Sequence, residues 1–389
     1  MLVGLGALVA VLQPQVHDLV HRPGSSSVDL LPIWCHARSL DAGEWACGPE
    51  VIAKVFRKAV AGPDHGRDGP YYYPPTAGLL LLPTANLAFG EVAVGFRMVS
   101  TAALIVAGIT LTFAAPVRRR DVALGVGLGV AAVFLSVRVA KGSLLAGQTG
   151  PLMVGLTAVA LWAAGRARDG WSGAVAAVGV ALKLSPILLL AAFVRRRAWV
   201  LALVLTLLVL AVPVLLLPGH DDLTAWFTGA RDFANRPMRE EWPRQEPAWV
   251  LVAWRLRYGL GVPTLALAAW TAWRPTDRAA ELAMAAVLVA WGGTVMAGAQ
   301  QTHEALVLLP ALGWLLVWPA QQRSPLVPAS ILSILLLAYM AKLGVASRFS
   351  PPNSLAWVSI GYVTWLGCVG RWGWERWQAR RRPSRLATV

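Results

Sequence analysis

RARDGWSGAVAAVGVALKLSPILLLAAFVRRR, residues 166–197, decides how the chain is threaded. An apolar stretch of membrane-like character, 170–194, is closed at both ends by arginine clusters. Arginine-rich loops favour the cytoplasmic side of a bilayer, so both ends ask for the same side. A single crossing violates that preference. Two short helices meeting at Lys183–Pro186 satisfy it, with the KLSP turn facing the outer side and partly sunk in protein. Broken helices of this kind are tolerated only where protein or a cavity covers the freed backbone.

Outward from this stretch the same pattern repeats. The 389 residues are 57% hydrophobic and 14% charged, with a mean hydropathy of +0.57, which is too apolar for a soluble protein of this length. Apolar runs fall at 1–18, 92–115, 121–139, 150–164, 198–217, 258–273, 279–298, 303–319, 326–343 and 354–370. Most are about long enough to span a bilayer core, and their continuity excludes a porin-like barrel. The expected fold is an all-alpha polytopic membrane protein with about 10–12 transmembrane helices, short broken ones included. The net charge of +15 and pI near 10.8 come from arginine clusters between the runs, as at 118–120 and 379–385, and do not imply nucleic acid.

Placing Arg118–Arg120 inside makes 92–115 a full crossing. The short run 76–89, with prolines at 74, 75 and 83, then reads as an interfacial or half-inserted outer helix. The organisation expected is one transmembrane domain, 1–373, and a basic cytoplasmic tail, 374–389. Its long extracytoplasmic loops are 19–91 and 218–247, and both termini lie inside. MLVGLGALVAVL lacks a positively charged start and reads as a first membrane helix rather than a cleaved signal. Cys35 and Cys47 share the first outer loop, where either a disulfide or two thiols would be compatible. Cys368 reads as packing.

The outer face collects the polar groups. Lys183, at membrane depth, either snorkels or pairs with an acid, or contacts a phosphate. His303 and Glu304 at a helix start either cap it or contact a sugar or phosphate. Tyr71–Tyr73 either belt the interface or stack on carbohydrate, and Pro74 and Pro75 fix the chain that follows. The six histidines show no zinc spacing, and no phosphate-binding GxxxxGK[ST] loop or dinucleotide fingerprint occurs.

In order, Asp29, ARSLDAG (37–43), YYYPPTAGLLLLP (71–83), GQTG (147–150), the lysine-bearing broken helix before Arg195–Arg197, and His303 form a chain of motifs. Together they resemble the GT-C integral-membrane glycosyltransferases that use polyprenyl-phosphate sugars, nearest the GT87 branch. That branch includes bacterial polyprenyl-phosphate-mannose-dependent alpha-mannosyltransferases. The resemblance covers roughly residues 25–310.

It implies an inverting transferase in a bacterial plasma membrane, with its site on the extracytoplasmic face. The donor would be a polyprenyl-phosphate sugar, mannose favoured, and the acceptor a glycolipid or polysaccharide. Asp29 would act as general base, with Asp41 in reserve or ion-paired to Arg38. Lys183 and Arg97 would meet the phosphate, Gln148 and His303 orient the donor, and Tyr72 and Tyr73 stack on sugar. Glu304 would join them, and a divalent cation is left open because GT-C enzymes differ in that need. The rival reading is a transporter or flippase for a lipid-linked sugar. Polarity gathered on one side, without an inverted repeat, favours chemistry over passage.

Overall fold

The computed structural model describes residues 1–21, 27, 29–43, 73–114, 120–136, 138–183, 187, 189–193, 195–216, 262 and 266. The elements are helical: α1 (Leu2–His21), α2 (Leu31–Asp41), α3 (Pro75–Leu81) running into a 3-10 turn (Leu82–Thr84), and α4 (Phe89–Ala114). They continue as α5 (Arg120–Ser136), α6 (Arg138–Ala146), α7 (Gly150–Gly165), α8 (Asp169–Leu182), the single turn α9 (Leu190–Phe193) and α10 (Arg197–Leu215). Among the described residues, Phe89–Thr110 and Arg197–Leu215 are each long and apolar enough to cross a membrane, and Arg120–Ser136 with Ala140–Ala146 would make a third if that bent pair is one span.

Local chemistry explains several boundaries. At the start of α4, Glu91 Oε2 accepts the backbone N–H of Ala88 at 3.1 Å, half of a capping box. Proline opens α2, α3 and α7, where its missing N–H is not needed. The residue after α8, Lys183, is extended (φ −157°, ψ 131°), so the helix stops where the sequence breaks.

Packing sets the direction of the bundle. Asp169 pairs with Arg196 at 2.6 Å, and Trp199 Nε1 donates to Ser172 Oγ at 2.9 Å. At the next residue, a Cβ on Gly173 would meet the backbones of Trp199 and Leu203, so only glycine permits this approach. The contacts advance together from both N-termini, so α8 and α10 run parallel. Lys183 and Arg196 therefore lie at opposite ends of α8, about 21 Å apart by helical rise. Arg196 also donates to Ala164 O at 3.1 Å, so the end of α7 joins the same cluster. The two arginine-rich flanks of the deciding stretch thus share one end of the bundle.

The opposite end gathers the other termini. Ile33 of α2, Ala77 of α3, Met153 of α7 and Leu182 of α8 form one buried cluster, with Tyr73 against it. Leu30, Leu31, Trp34, Val92, Ala93 and Phe96 form a second, joining α2 to α4. Thr76 Oγ1 donates to Ala181 O at 2.8 Å, tying α3 to the last turn of α8.

Two elements differ from the sequence reading. The polar stretch after the first helix contains α2, whose residues Leu31, Ile33, Trp34, Cys35, His36, Ala37, Ser39 and Leu40 are buried. The link between the runs 121–139 and 150–164 is helical as α6, at a bend of 67° from α5. The expected runs from 258 to 370, the loop 218–247 and the tail 374–389 lie outside the described residues, isolated positions 262 and 266 apart.

Candidate functional site

The site is built on the C-terminus of α6. A helix end leaves four carbonyls without helical partners. Gln148 N–H donates to Ser143 O at 2.9 Å and Gly147 N–H to Leu144 O at 3.3 Å, the paired bonds of a Schellman cap. Gly147 takes the left-handed conformation that this cap requires, φ +71°. The other two carbonyls are taken by distant chain. Leu145 O accepts from Arg97 Nη2 at 3.0 Å and from Ser27 Oγ at 3.3 Å, and Ala146 O accepts the backbone N–H of Asp29 at 3.0 Å. The turn carrying Asp29 is thus seated on the end of α6 by its own backbone.

Gly147 has a second reason to be glycine. A Cβ there would lie 2.8 Å from Leu30 Cβ and 3.1 Å from Ser27 Cβ. With the turn held this close, Gln148 Nε2 donates to Asp29 Oδ2 at 2.6 Å. An amide bonded to a carboxylate is a charge-assisted pair, short and directional. Asp29 keeps partial exposure while Gln148 is buried.

Tyr73 lies near enough to Asp29 to feel its charge. Burial first, and then the Asp29 carboxylate, push its hydroxyl above the usual tyrosine value. It stays protonated and remains a donor at neutral pH. Pro74 and Pro75 then lead into α3. His36, one helical turn and a half along from Asp29's turn, donates from Nε2 to Pro75 O at 3.1 Å. A Cβ on Gly78 would strike the same ring. His36 therefore locks α2, which follows Asp29, to α3, which follows Tyr73.

The residues expected from sequence divide as follows. Asp29, Tyr73, Arg97 and Gln148 meet at this end of the bundle. Lys183, half-buried, follows the last turn of α8, which Thr76 holds to α3 at the same end. Asp41 is exposed at the far end of α2, about 15 Å of helix away from Asp29. Arg38 lies over the Trp34 ring at 5.1 Å. Tyr72, His303 and Glu304 lie outside the described residues. Cys35 is disulfide-bonded, and Cys47 lies outside the described residues. No group of three His, Cys, Asp or Glu among the described residues could hold a metal ion.

Ser27 and His36 also belong to this end of the bundle, although no sequence motif points to them. Ser27 has no local signal, because its partners lie 70 and 118 residues away. His36 lies in the polar stretch after the first apolar run. A clue was present in Ile33, Trp34, Ala37 and Leu40, which recur at helical spacing and would have put His36 on a buried helix.

Known proteins extend this picture. Residues 71–299 match glycosyltransferase family 87. The chain is also 25% identical over 341 residues to a Mycobacterium tuberculosis (strain CDC 1551 / Oshkosh) protein, covering 82% of this chain and 76% of that one. That protein is the polyprenol-phosphate-mannose-dependent alpha-(1-2)-phosphatidylinositol pentamannoside mannosyltransferase. No solved structure matches.

Proposed function

The chain belongs to glycosyltransferase family 87, and from that premise we propose that it transfers a sugar, mannose favoured, from a polyprenyl-phosphate donor to a glycolipid or polysaccharide acceptor. The reaction takes place on the extracytoplasmic face of the plasma membrane. The observation that carries this reading is the Asp29–Gln148 pair beside Tyr73, at the end of the bundle away from the arginine clusters. The mycobacterial relative, whose donor is polyprenol-phosphate-mannose, supports the choice of sugar carrier.

In this reading Asp29 takes the proton of an acceptor hydroxyl as its oxygen attacks the anomeric carbon. The bond from that carbon to the phosphate oxygen breaks, and polyprenyl phosphate leaves with the electron pair. Gln148 aims one carboxylate oxygen by holding Oδ2. The Lys183 ammonium stabilises charge on the departing phosphate. Tyr73 donates a hydrogen bond to the sugar or its leaving oxygen. One displacement inverts configuration, so a beta-linked donor gives an alpha product.

The test is transfer by the purified full chain in proteoliposomes, with radiolabelled polyprenyl-phosphate mannose and a native lipid extract. Wild type is expected to give a labelled lipid or polysaccharide, and Asp29→Asn to lose about 10²- to 10⁴-fold while remaining folded. An Asn variant as fast as wild type would remove Asp29 from the base role. Donor movement across the bilayer without any product would turn the assignment towards a flippase.

A further inference from the structure

Arg97 carries a permanent charge into the bundle and is only 4% exposed. A buried guanidinium is costly to keep unless its donors are used. Here Nε and Nη2 donate to Ser27 Oγ at 3.1 and 2.8 Å, and Nη2 also donates to Leu145 O at 3.0 Å. The Ser27 hydroxyl spends its own proton on the same Leu145 carbonyl at 3.3 Å. Its backbone carbonyl accepts from Leu30 N at 3.2 Å, closing the turn that contains Asp29. Arg97, Ser27 and the end of α6 therefore form a closed triangle at the start of the turn that carries Asp29.

We infer that Arg97, acting with Ser27, is a positioning residue for Asp29: it fixes the 27–30 turn on the capped end of α6 so that the carboxylate stays on Gln148. This rests on the reading of Asp29 as base. The planar fork of arginine suits the task, since two of its nitrogens grip one hydroxyl while one of them also reaches a carbonyl. A lysine could supply the charge but not that geometry. A phosphate contact would be less exacting, because lysine also binds phosphate as a point charge. The shallow exposure of Arg97, set against the half-buried Lys183, points the same way.

The experiment compares wild type, Arg97→Lys and Ser27→Ala in proteoliposomes with polyprenyl-phosphate mannose and a native lipid extract. Both variants are expected to lower kcat about 10- to 100-fold with the KM for donor little changed, because a misplaced base slows the reaction without weakening donor binding. The double variant should be little worse than either single one, as the two residues act as a unit. Arg97→Lys with a wild-type kcat, or with only a raised donor KM, would overturn the assignment in favour of a phosphate contact. If Arg97→Lys does not insert, Ser27→Ala decides alone. Hydrogen exchange at the Asp29 amide gives a readout independent of transfer: Ser27→Ala is expected to lose protection there, and unchanged protection overturns the clamp. A wild type that transfers nothing would instead retire the donor and acceptor reading, with exchange still deciding the clamp.

Discussion

The side-chain amide of Gln148 donates to Asp29 Oδ2 at 2.6 Å, joining residues 119 apart in sequence. Gln148 follows the left-handed glycine of a helix cap, and Asp29 donates its backbone N–H to that same helix end. Both partners are thus set by one element. Gln148→Leu keeps similar volume but withdraws the donor from a carboxylate. The expected result is a kcat about 10- to 100-fold lower at saturating donor, and a stability loss on the order of 1–2 kcal/mol. Initial rates and apparent Tm in detergent check the two parts.

Gly147 and Gly43 offer a matched pair for separating strain from crowding. Both are left-handed, φ +71° and +75°, yet a Cβ at Gly43 would meet nothing within 4 Å while one at Gly147 would press on Leu30 and Ser27. Gly43→Ala is expected to cost about 1 kcal/mol, the left-handed penalty alone. Gly147→Ala should cost about 2–3 kcal/mol, since the turn bearing Asp29 must move as well. Only the second should also slow transfer. Equal effects on Tm would mean that the close approach of the turn does not matter.

What could be read from sequence followed from what is local. The long apolar helices, the break after Leu182 and the shared end of the two arginine clusters all leave runs or charge bias in the chain. Asp29, Tyr73 and Gln148 stand in the ordered motifs that carry the family resemblance, and Lys183 is also a rare charge at membrane depth. Helix α2 is hard to see in the sequence because polar His36 and Ser39 interrupt its apolar face, and its burial comes from α3 and α4. The sequence sets Arg97 at the outer edge of a span, as a phosphate contact by resemblance, and shows neither its burial nor its partner. Nothing near Ser27 foretells that residue 97 and residue 145 converge on its hydroxyl.

Lys183 sits where α8 stops, in extended backbone, with the preceding turn tied to Thr76. If its ammonium receives the donor phosphate, Lys183→Ala should raise the donor KM about tenfold, as expected when a surface-facing phosphate contact is removed. Lys183→Arg should restore most of it. Thr76→Val should give a smaller effect in the same direction by loosening the last turn of α8. A donor titration in proteoliposomes separates these outcomes, and an unchanged KM in Lys183→Ala would move the phosphate contact elsewhere.

The two ends of the bundle make a prediction about sides of the membrane. Ala42 is exposed beyond α2, and Arg168 is exposed where α7 turns into α8. A maleimide that cannot cross membranes should label Ala42→Cys on intact cells, and Arg168→Cys only after permeabilisation. Labelling of both from outside would contradict the placement of Lys183 and Arg196 at opposite ends of α8 and the expected orientation together.

Acid should weaken the contact between α2 and α3. Burial of His36 lowers its pKa from 6.5 to about 4, opposed only in part by its bond to the Pro75 carbonyl. In the unfolded chain the imidazole takes up its proton near pH 6.5, whereas the folded protein holds it neutral until about pH 4. Above pH 6.5 both states are neutral and this group leaves stability unchanged. As pH falls from 6.5 to 4 the unfolded state binds the extra proton, and stability is lost by an amount on the order of 3 kcal/mol. Below about pH 4 both states are protonated and the loss levels off. His36→Gln cannot titrate, so the margin by which wild type exceeds it in apparent Tm should shrink between pH 7 and pH 4.5. A margin that stays constant over that range would mean that His36 protonates in the folded protein as readily as in the unfolded chain, and that the packing of its ring between α2 and α3 is looser than the Gly78 contact implies.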